Sequence, residues 1–450
     1  MTTVPVAAPA PLAAPHARPQ HDRASAWQLA AIQVLGAGAA LLGWWALGST
    51  ASAAAQAPAV RAYGWSSVLA LPLTLGVAYL LPNLARGWAA PLRRGPWSPY
   101  VTLAWGVSGA AVAVGGVLVV AAALGAPTGV AGLTALAAGA VAAGVMGCQL
   151  ARLTGRRGLM AGSAVGQALL PVTWWVATVA GMGARSAGLA VLVVAASGLA
   201  ALVHRTRGLA APLRRSDLDV RFLRSAAVLV PHLLVFAVLM QGLRLVATGS
   251  PADLLAAHLV MLVVTVGATL GGSLHAILAA RVQSAPDDEL AARAAANARA
   301  YALVGAALGL AVAVGAHVAP AFVGAFPRVG VAGLVALATV LPSVMTYYAT
   351  SGLALRSGRS GVVAASSAAA VAVLLAAQPL VAGGTTSEQA VAYAVAVAVL
   401  PVVGACLTAA RCPGPVARAV GPVARWGALA PVPGVLAALA LAGTGTPWTS

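Results

Sequence analysis

Thirteen apolar stretches, each about as long as a bilayer is thick, run through this chain and are separated by short loops. An α-helix rises about 1.5 Å per residue and the hydrocarbon core is about 30 Å thick, so roughly 20 apolar residues make one span. Backbone amides find no water inside lipid, and the stretches are too long and too evenly apolar for barrel strands. The sequence therefore predicts an all-α, polytopic integral membrane protein.

The composition agrees with this prediction. Hydrophobic residues make up 61% of the chain and charged residues 8%, with a mean hydropathy of +0.92, values at which a soluble domain would aggregate. The predicted spans are Trp27–Leu47, Gly64–Leu84, Pro99–Leu124, Val130–Leu150, Leu159–Ala180, Ala187–Val203, Ala226–Ala247, Leu254–Ala280, Tyr301–Val318, Val331–Leu353, Gly361–Ala382, Ala390–Ala410 and a short thirteenth at Ala428–Ala442.

The arginines predict the orientation of the chain. All 26 basic residues are arginine, and the net charge is +18. If the amino terminus is cytoplasmic and the loops alternate sides, only Arg61, Arg185, Arg244 and Arg328 lie at or near the outer side. Basic loops favour the cytoplasmic face, so we expect a multi-pass protein of the cell (plasma) membrane with a cytoplasmic amino terminus. The lipid bilayer is then the predicted partner, and no nucleic acid is needed to explain the charge.

A weak internal repeat divides the helices into two halves. Gly155, Arg156 and Gly158 follow the fourth span, and the same residue types recur after the tenth, from Gly358, at a constant offset of 203. Six helices per half is an even number, so both halves would have the same orientation and leave a cleft between them. The predicted organisation is a disordered cytoplasmic tail at 1–25, a six-helix lobe at 26–204, a cytoplasmic linker at 205–224, a second six-helix lobe at 225–411, and a basic loop with an extra helix at 412–450.

The acidic residues and the cysteines argue against several kinds of site. None of the eight carboxylates lies in the middle of a predicted span, which disfavours an ion antiporter with a coordinating carboxylate. The outer loops lack the paired carboxylates that an enzyme acting on lipid-linked sugars would need. The three cysteines have no metal-like spacing. We therefore expect no enzymatic activity, no cofactor and no metal.

Polar residues inside the predicted spans concentrate in the seventh and eighth. Gln241 and Arg244 are three residues apart and share a helix face. On the eighth span His258, Thr265 and Thr269 lie within about 40° of one another at about 100° per residue. These five side chains are candidate substrate-binding residues in a water-filled cleft.

A sixth candidate is Gln33 of the first span, and each of the candidates also has a structural interpretation. Arg244 lies about 11 Å from the centre of its span, which fits a side chain that reaches the headgroups. Thr265 and Thr269 could bond carbonyl groups one turn back or pack between helices. Gln33 could be a satisfied amide, and Trp44 with its neighbouring tryptophan could belong to an interfacial aromatic belt.

Three segments give the chain a family resemblance. Residues Arg221–Ala226 open the seventh span, Leu274–Arg281 close the eighth before a charged, Ala-rich stretch, and Ala319–Gly324 place a proline and an aromatic-Gly turn after the ninth. In this layout the chain resembles the multidrug/oligosaccharidyl-lipid/polysaccharide export superfamily. The resemblance implies two six-helix lobes around a central cleft, lined by the first, second, seventh and eighth helices, and transport by rocking of the lobes.

Within that superfamily the chain is more similar to the polysaccharide flippase branch, because no carboxylate lies in the middle of its first or seventh span. The resemblance implies export of an anionic lipid-linked saccharide for cell-surface polysaccharide biosynthesis, with glycan-assembly enzymes as further partners. The alternatives are a cation-coupled multidrug-type exporter and a non-transporting membrane scaffold for envelope assembly. The thirteenth helix departs from the usual counts of twelve or fourteen.

Overall fold

A computed structural model describes residues 21–50, 52–74, 77, 98–154, 156–213, 218–246, 250–283, 285–322, 326–382 and 384–443, and every regular element in these ranges is an α-helix. The helices are α1 His21–Thr50, α2 Ala53–Leu73, α3 Ser98–Ala123, α4 Gly129–Thr154, α5 Arg157–Val179, α6 Ala184–Thr206, α7 Val220–Met240, α8 Gly242–Val246, α9 Pro251–Gln283, α10 Leu290–Phe322, α11 Val331–Arg356, α12 Ser360–Val381, α13 Thr386–Arg411, α14 Gly414–Leu429 and α15 Val432–Gly443. The all-α prediction is confirmed.

Eleven helical stretches of the described chain are long and apolar enough to cross a membrane, counting α14 and α15 as one. The other two predicted spans, the second and the seventh, correspond to α2 and α7. Their surfaces fit a lipid environment, because large aliphatic side chains such as Val117, Val193 and Leu380 are exposed on the outside of the bundle. The fold is that of a multi-pass membrane protein.

The first six spans form one lobe. In it α1 packs on α5, α2 and α3 pack on α4, and α6 packs on both α3 and α5. Small residues permit the closest crossing, since the backbone of α3 at Ser108 lies directly over Gly139 of α4, where an added Cβ would be 2.8 Å from the Ser108 carbonyl oxygen.

The second lobe, from α7 to α13, repeats this packing pattern. Its first span α7 packs on α12, as α1 packs on α5 in the first lobe. Its second and third spans, α9 and α10, both pack on α11, as α2 and α3 both pack on α4. The α10–α11 crossing also depends on glycine, because Pro342 of α11 lies 3.1 Å from where a Cβ on Gly305 would stand. The two-lobe prediction is consistent with this repeated arrangement.

Gly358 lies at the turn that carries the second copy of the sequence repeat. Its φ is +70°, which explains why glycine occupies this position. Its counterpart Gly155 lies outside the described residues.

The lobes touch through their first two spans. Helices α1 and α2 contact α9, and α2 also contacts α7 and α8. These are the first, second, seventh and eighth spans, the same four that the family resemblance implies for the cleft.

Several predicted boundaries are wrong. The second span begins at Ala53, eleven residues before the predicted Gly64, because Ser52 caps its first turn by accepting a hydrogen bond from the Ala55 amide. Helix α1 begins at His21, inside the tail predicted as disordered, and residues 1–20 lie outside the described chain. The linker predicted at 205–224 is shorter, since α6 continues to Thr206 and α7 starts at Val220.

The prediction of a basic loop after residue 411 is also wrong. Residues Gly414–Leu429 form helix α14, with Pro413 before its first turn, and the extra membrane helix therefore begins well before the predicted Ala428. Helices α14 and α15 together pack on α10 and α11 of the second lobe, and α14 also contacts α13. Tertiary packing of its apolar face, which includes the buried Val416 and Val423, keeps this arginine-containing segment helical.

Candidate functional site

The strongest cluster of polar side chains lies where the two lobes meet. Helix α7 ends at Met240, and after the turn at Gln241 the short helix α8 carries Arg244 toward the first lobe. Gly242 makes this placement possible, because the ring of Tyr393 lies only 3.2 Å from where a Cβ on Gly242 would stand. The break in the seventh span thus brings Arg244 between α2 and the second lobe.

Arg244 is almost completely buried, with 4% of its surface exposed. Its Nη1 donates a hydrogen bond to Oε1 of Gln241, and its Cζ lies 5.2 Å from the centroid of the Tyr63 ring on α2, a cation–π contact. Its Nε and Nη2 have no hydrogen-bond partner among the described residues. The interpretation of Arg244 as a side chain that reaches the headgroups is therefore wrong.

His258 of α9 extends the cluster toward α1. The imidazole is fully buried and meets the Trp44 ring edge-on at 4.3 Å between centroids, with Tyr63 at 5.7 Å. Neither ring nitrogen has a partner in the described part of the chain, and the same holds for the Trp44 indole N–H and the Tyr393 hydroxyl. Side chains from both lobes therefore place several unpaired donors and acceptors in one buried layer, which we call the interlobe layer: Trp44, Tyr63, Gln241, Arg244, His258 and Tyr393.

No carboxylate neutralises this layer within the described chain. Asp253 accepts hydrogen bonds from the backbone and side chain of Ser250 at the start of α9, and Glu388 forms a capping box with Thr385 at the start of α13. The described ion pairs join Arg293 to Glu289 and Arg356 to Asp287, at the other ends of the second lobe's helices. A buried cation with unpaired donors and no counter-ion is costly, and an anion would satisfy it.

The six predicted site residues do not all meet. Gln241, Arg244 and His258 come together in the interlobe layer. Thr265 and Thr269 lie about 10 and 16 Å further along α9, where their hydroxyls donate to the carbonyl groups of Met261 and Thr265 at 2.6 and 2.9 Å. Their predicted role in binding stays a prediction.

Gln33 is also remote from the layer. Its Oε1 accepts a hydrogen bond of 2.6 Å from Nη2 of Arg152 on α4, within the first lobe. It lies eleven residues before Trp44, about 16 Å along α1. A contact of Gln33 with substrate likewise stays a prediction.

Sequence reasoning missed three members of the layer. Trp44 was expected in an interfacial aromatic belt, but only 3% of its surface is exposed, and it packs against His258. Tyr63 and Tyr393 were not singled out at all. Nothing in their local sequence marks them, because Tyr63 reaches Arg244 only through the docking of the two lobes, and Tyr393 reaches it only through the packing of α13 against α8 within the second lobe.

The second lobe contains a further set of polar and aromatic side chains, whose polar groups are satisfied. His232 Nδ1 and the Tyr347 hydroxyl both lie within hydrogen-bond distance of the Ser367 hydroxyl, at 3.1 and 3.2 Å. His275 pairs with the Tyr301 hydroxyl at 2.8 Å. These contacts lie within one lobe, so they fit a role in packing.

No protein-family model and no curated protein sequence matches the chain. Solved structures do match. A MATE transporter in a bent conformation superposes with a TM-score of 0.53 at 15% identity, over 90% of this chain and 97% of that chain. A eukaryotic MATE transporter gives 0.51 at 14% identity, over 90% of this chain and 99% of that one.

The chain has the MATE transporter fold. A MOP superfamily transporter from Pyrococcus furiosus, described as having a binding pocket of reverse polarity, also matches with a TM-score of 0.51 at 14% identity, over 85% of this chain and 94% of that chain. These likenesses agree with the two-lobe architecture predicted from the sequence. At this level of identity they establish the MATE-like fold and do not separate its branches.

Proposed function

We propose that this MATE-like protein exports an anionic lipid-linked saccharide across the plasma membrane by alternating access between its two lobes. The observation that carries the proposal is Arg244, which is buried at the contact between the lobes with two guanidinium nitrogens unpaired in the described chain. In alternating access the lobes part along α1, α2, α7 and α9. Parting there would expose Arg244 to the cleft, where phosphate is the natural partner of a guanidinium group.

The charge distribution supports an anionic substrate. Gln241 and His258 stand beside Arg244 as further hydrogen-bonding groups, and no carboxylate competes for them in the described part of the layer. The solved structures that share the fold are transporters, and one of them is described as having a binding pocket of reverse polarity. The MATE-like fold is therefore compatible with pockets of different charge.

The membrane potential could drive such export without a coupling ion. A pyrophosphate headgroup that leaves a negative-inside cell moves with the field and gains about 2.3 kcal/mol per uncompensated charge per 100 mV. Two charges would supply roughly 4–5 kcal/mol. This fits a chain whose described spans contain no central carboxylate for proton or sodium coupling.

One observation favours a second candidate, a cation-coupled multidrug-type exporter: two of the matching structures are MATE transporters.

Two transport assays in proteoliposomes distinguish the two functions. The first reaction measures protection of a fluorescent polyprenyl-pyrophosphate saccharide from an impermeant quencher, and the second measures ethidium transport driven by a proton or sodium gradient. Saccharide flipping that depends on the membrane potential supports the proposal, and ethidium transport alone supports the multidrug-type exporter. If neither activity is detected, the membrane scaffold is the remaining candidate function.

A further inference from the structure

A basic surface lies on the outside of the second lobe, where α14 packs beside the first three turns of α10. Arg418 and Arg425 of α14 and Arg299 of α10 are exposed. Arg418 and Arg425 are seven residues apart, so they lie within about 20° of each other on one face of α14. The other face of α14 carries Val416 and Val423, which are buried in a cluster with residues of α9, α10 and α11. The two arginines of α14 therefore point away from the second lobe.

Trp426 links Arg299 to this arginine face. The Cζ atom of Arg299 lies 5.8 Å from the centroid of the Trp426 ring, a cation–π contact between α10 and α14. Around the axis of α14, Arg418 and Arg425 follow Trp426 in the same direction, at about 80° and 100°. The contact therefore places the arginine of α10 next to the arginine face of α14. We call these four residues, Arg299, Arg418, Arg425 and Trp426, the α10–α14 basic surface.

No ion pair neutralises this surface within the described chain. Helix α14 contains no acidic residue. The carboxylate of Glu289, near the start of α10, is paired with Arg293, and that of Asp287, in the loop before α10, is paired with Arg356. The surface therefore carries three positive charges without a carboxylate partner among the described residues.

The surface lies at the level of the lipid headgroups. Arg299 precedes the predicted ninth span by two residues, so it lies at the edge of the hydrocarbon core. Its contact with α14 and the packing of Gly434 on Gly309 show that α14 and α15 run beside α10 in the same direction. Arg425 then lies near the same edge, and Arg418 is about 10 Å further from the bilayer centre. A headgroup layer is roughly 5–8 Å thick, so the surface spans its height.

We propose that the α10–α14 basic surface binds an anionic phospholipid. The guanidinium groups of Arg299 and Arg425 bind the phosphate at the edge of the hydrocarbon core, and Arg418 faces the outer part of the headgroup. The arginine bias predicts that the leaflet concerned is the cytoplasmic one. The site lies on the outside of the second lobe and does not depend on what the protein transports.

Two features favour a phospholipid over a partner protein. The charge of the surface is complementary to an anionic headgroup, and each basic residue near such lipids contributes to binding. The surface also lies at the depth where lipid phosphates surround the protein, and tryptophan is common at this depth because one end of its ring is apolar and the other can hydrogen-bond.

Native mass spectrometry of the purified full-length protein tests the proposal. The probes are phosphatidylglycerol and phosphatidylcholine with identical acyl chains. We expect a phosphatidylglycerol adduct that persists at activation energies where phosphatidylcholine leaves. Replacement of both arginines of α14, Arg418→Gln with Arg425→Gln, should weaken this adduct about 25-fold, about fivefold for each basic residue. Arg418→Lys with Arg425→Lys keeps both charges and should retain most of the affinity.

A matched pair of arginines in the first lobe is the control. Arg157, at the start of α5, and Arg207, just past the end of α6, are exposed and lie on the same predicted side of the membrane. Arg157→Gln with Arg207→Gln removes the same net charge and should keep the adduct. Because all of these side chains are exposed, every variant should melt at the parental temperature in phosphatidylcholine, which shows that the fold is intact.

Two results would overturn the proposal. One is equal retention of the two lipids by the parent protein. The other is an equal loss of phosphatidylglycerol in the α14 pair and in the first-lobe pair, which would assign the preference to the overall charge of the protein.

Discussion

The guanidinium group of Arg244 lies over the ring of Tyr63, with 5.2 Å between Cζ and the ring centroid. Arg244 belongs to the second lobe and Tyr63 to the first, so this contact spans the boundary that must open if the lobes rock. Burial makes it stronger than an exposed cation–π pair, which contributes about 0.5–1 kcal/mol. The same residue could therefore bind an anion when the lobes part and hold the lobes together when they close.

Replacement of Arg244 should impair export without lowering the amount of protein in the membrane. We expect Arg244→Ala to lower surface delivery of the glycan at unchanged protein abundance, because the anionic headgroup loses its cationic partner. Arg328→Ala is the matched control, since Arg328 is an exposed residue of the loop before α11, and it should be silent. Export by Arg244→Ala at the parental rate would leave the flippase proposal without its site.

A crosslink between Trp44 and His258 should stop transport reversibly. Their rings lie 4.3 Å apart across the lobe boundary, so a short, reducible bis-methanethiosulfonate reagent, which can span the two truncated side chains, should join Trp44→Cys to His258→Cys in a background where Cys148, Cys406 and Cys412 are replaced. Flipping in proteoliposomes should fall after crosslinking and return with reductant.

The control for this experiment is a pair inside one lobe. The rings of His275 on α9 and Tyr301 on α10 lie 6.1 Å apart, and treatment of the His275→Cys, Tyr301→Cys pair with the same reagent should leave any residual transport unchanged. Undiminished transport in the crosslinked Trp44/His258 pair would contradict lobe rocking at the interlobe layer.

The predicted orientation can be tested at two glycines with open surroundings. A Cβ at Gly183 or Gly208 would meet nothing within 4 Å, so cysteine is tolerated at both. In the cysteine-free background, Gly183→Cys at the start of α6 should react with an impermeant thiol reagent outside intact cells. Gly208→Cys, just past the other end of α6, should react only after the membrane is permeabilised. The reverse pattern would place the amino terminus outside.

Close helix packing predicts a difference between two glycines of α3. A Cβ at Gly115 would meet the backbone of Leu136, with its Cα at 2.8 Å, whereas one at Gly106 would meet nothing within 4 Å. Gly115→Ala should lower the free energy of unfolding by about 1–3 kcal/mol, the usual cost of overpacking. Gly106→Ala should leave it within about 0.5 kcal/mol of the parent. Thermal unfolding in detergent measures both, and equal melting temperatures would contradict the α3–α4 packing.

Hydropathy predicted most helices closely and failed where other forces set the helix ends. The sixth span, predicted as Ala187–Val203, is Ala184–Thr206, and the tenth, predicted as Val331–Leu353, is Val331–Arg356. The start of α2 and the whole of α14 were missed. Ser52 begins α2 in a segment of low hydropathy, and α14 is helical because its apolar face packs on the second lobe.

Some contacts of the candidate site could be predicted from the sequence, and others could not. Gln241 and Arg244 could be paired from their spacing, because residues three apart share a helix face, and the turn at Gln241 keeps that relation through a hydrogen bond of 2.9 Å from the Arg244 amide to the Gln241 carbonyl. Their link to His258 followed from the expected cleft and not from spacing. The Thr265 and Thr269 hydroxyls bond to carbonyl groups of their own helix, and Gln33 lies about 16 Å from Trp44 along α1.

The sequence by itself determined that the chain is helical, that it spans the membrane many times, and that it divides into two similar halves. These properties follow from local causes: apolar length, and the need of each backbone amide in lipid for a partner within its own helix. Only the tertiary structure decided that Arg244 is buried in one cluster with Tyr63 and His258, and that α14 is a helix. Each of these depends on contacts between residues far apart in the chain, and side-chain spacing along one helix contains no information about which helix will pack against it.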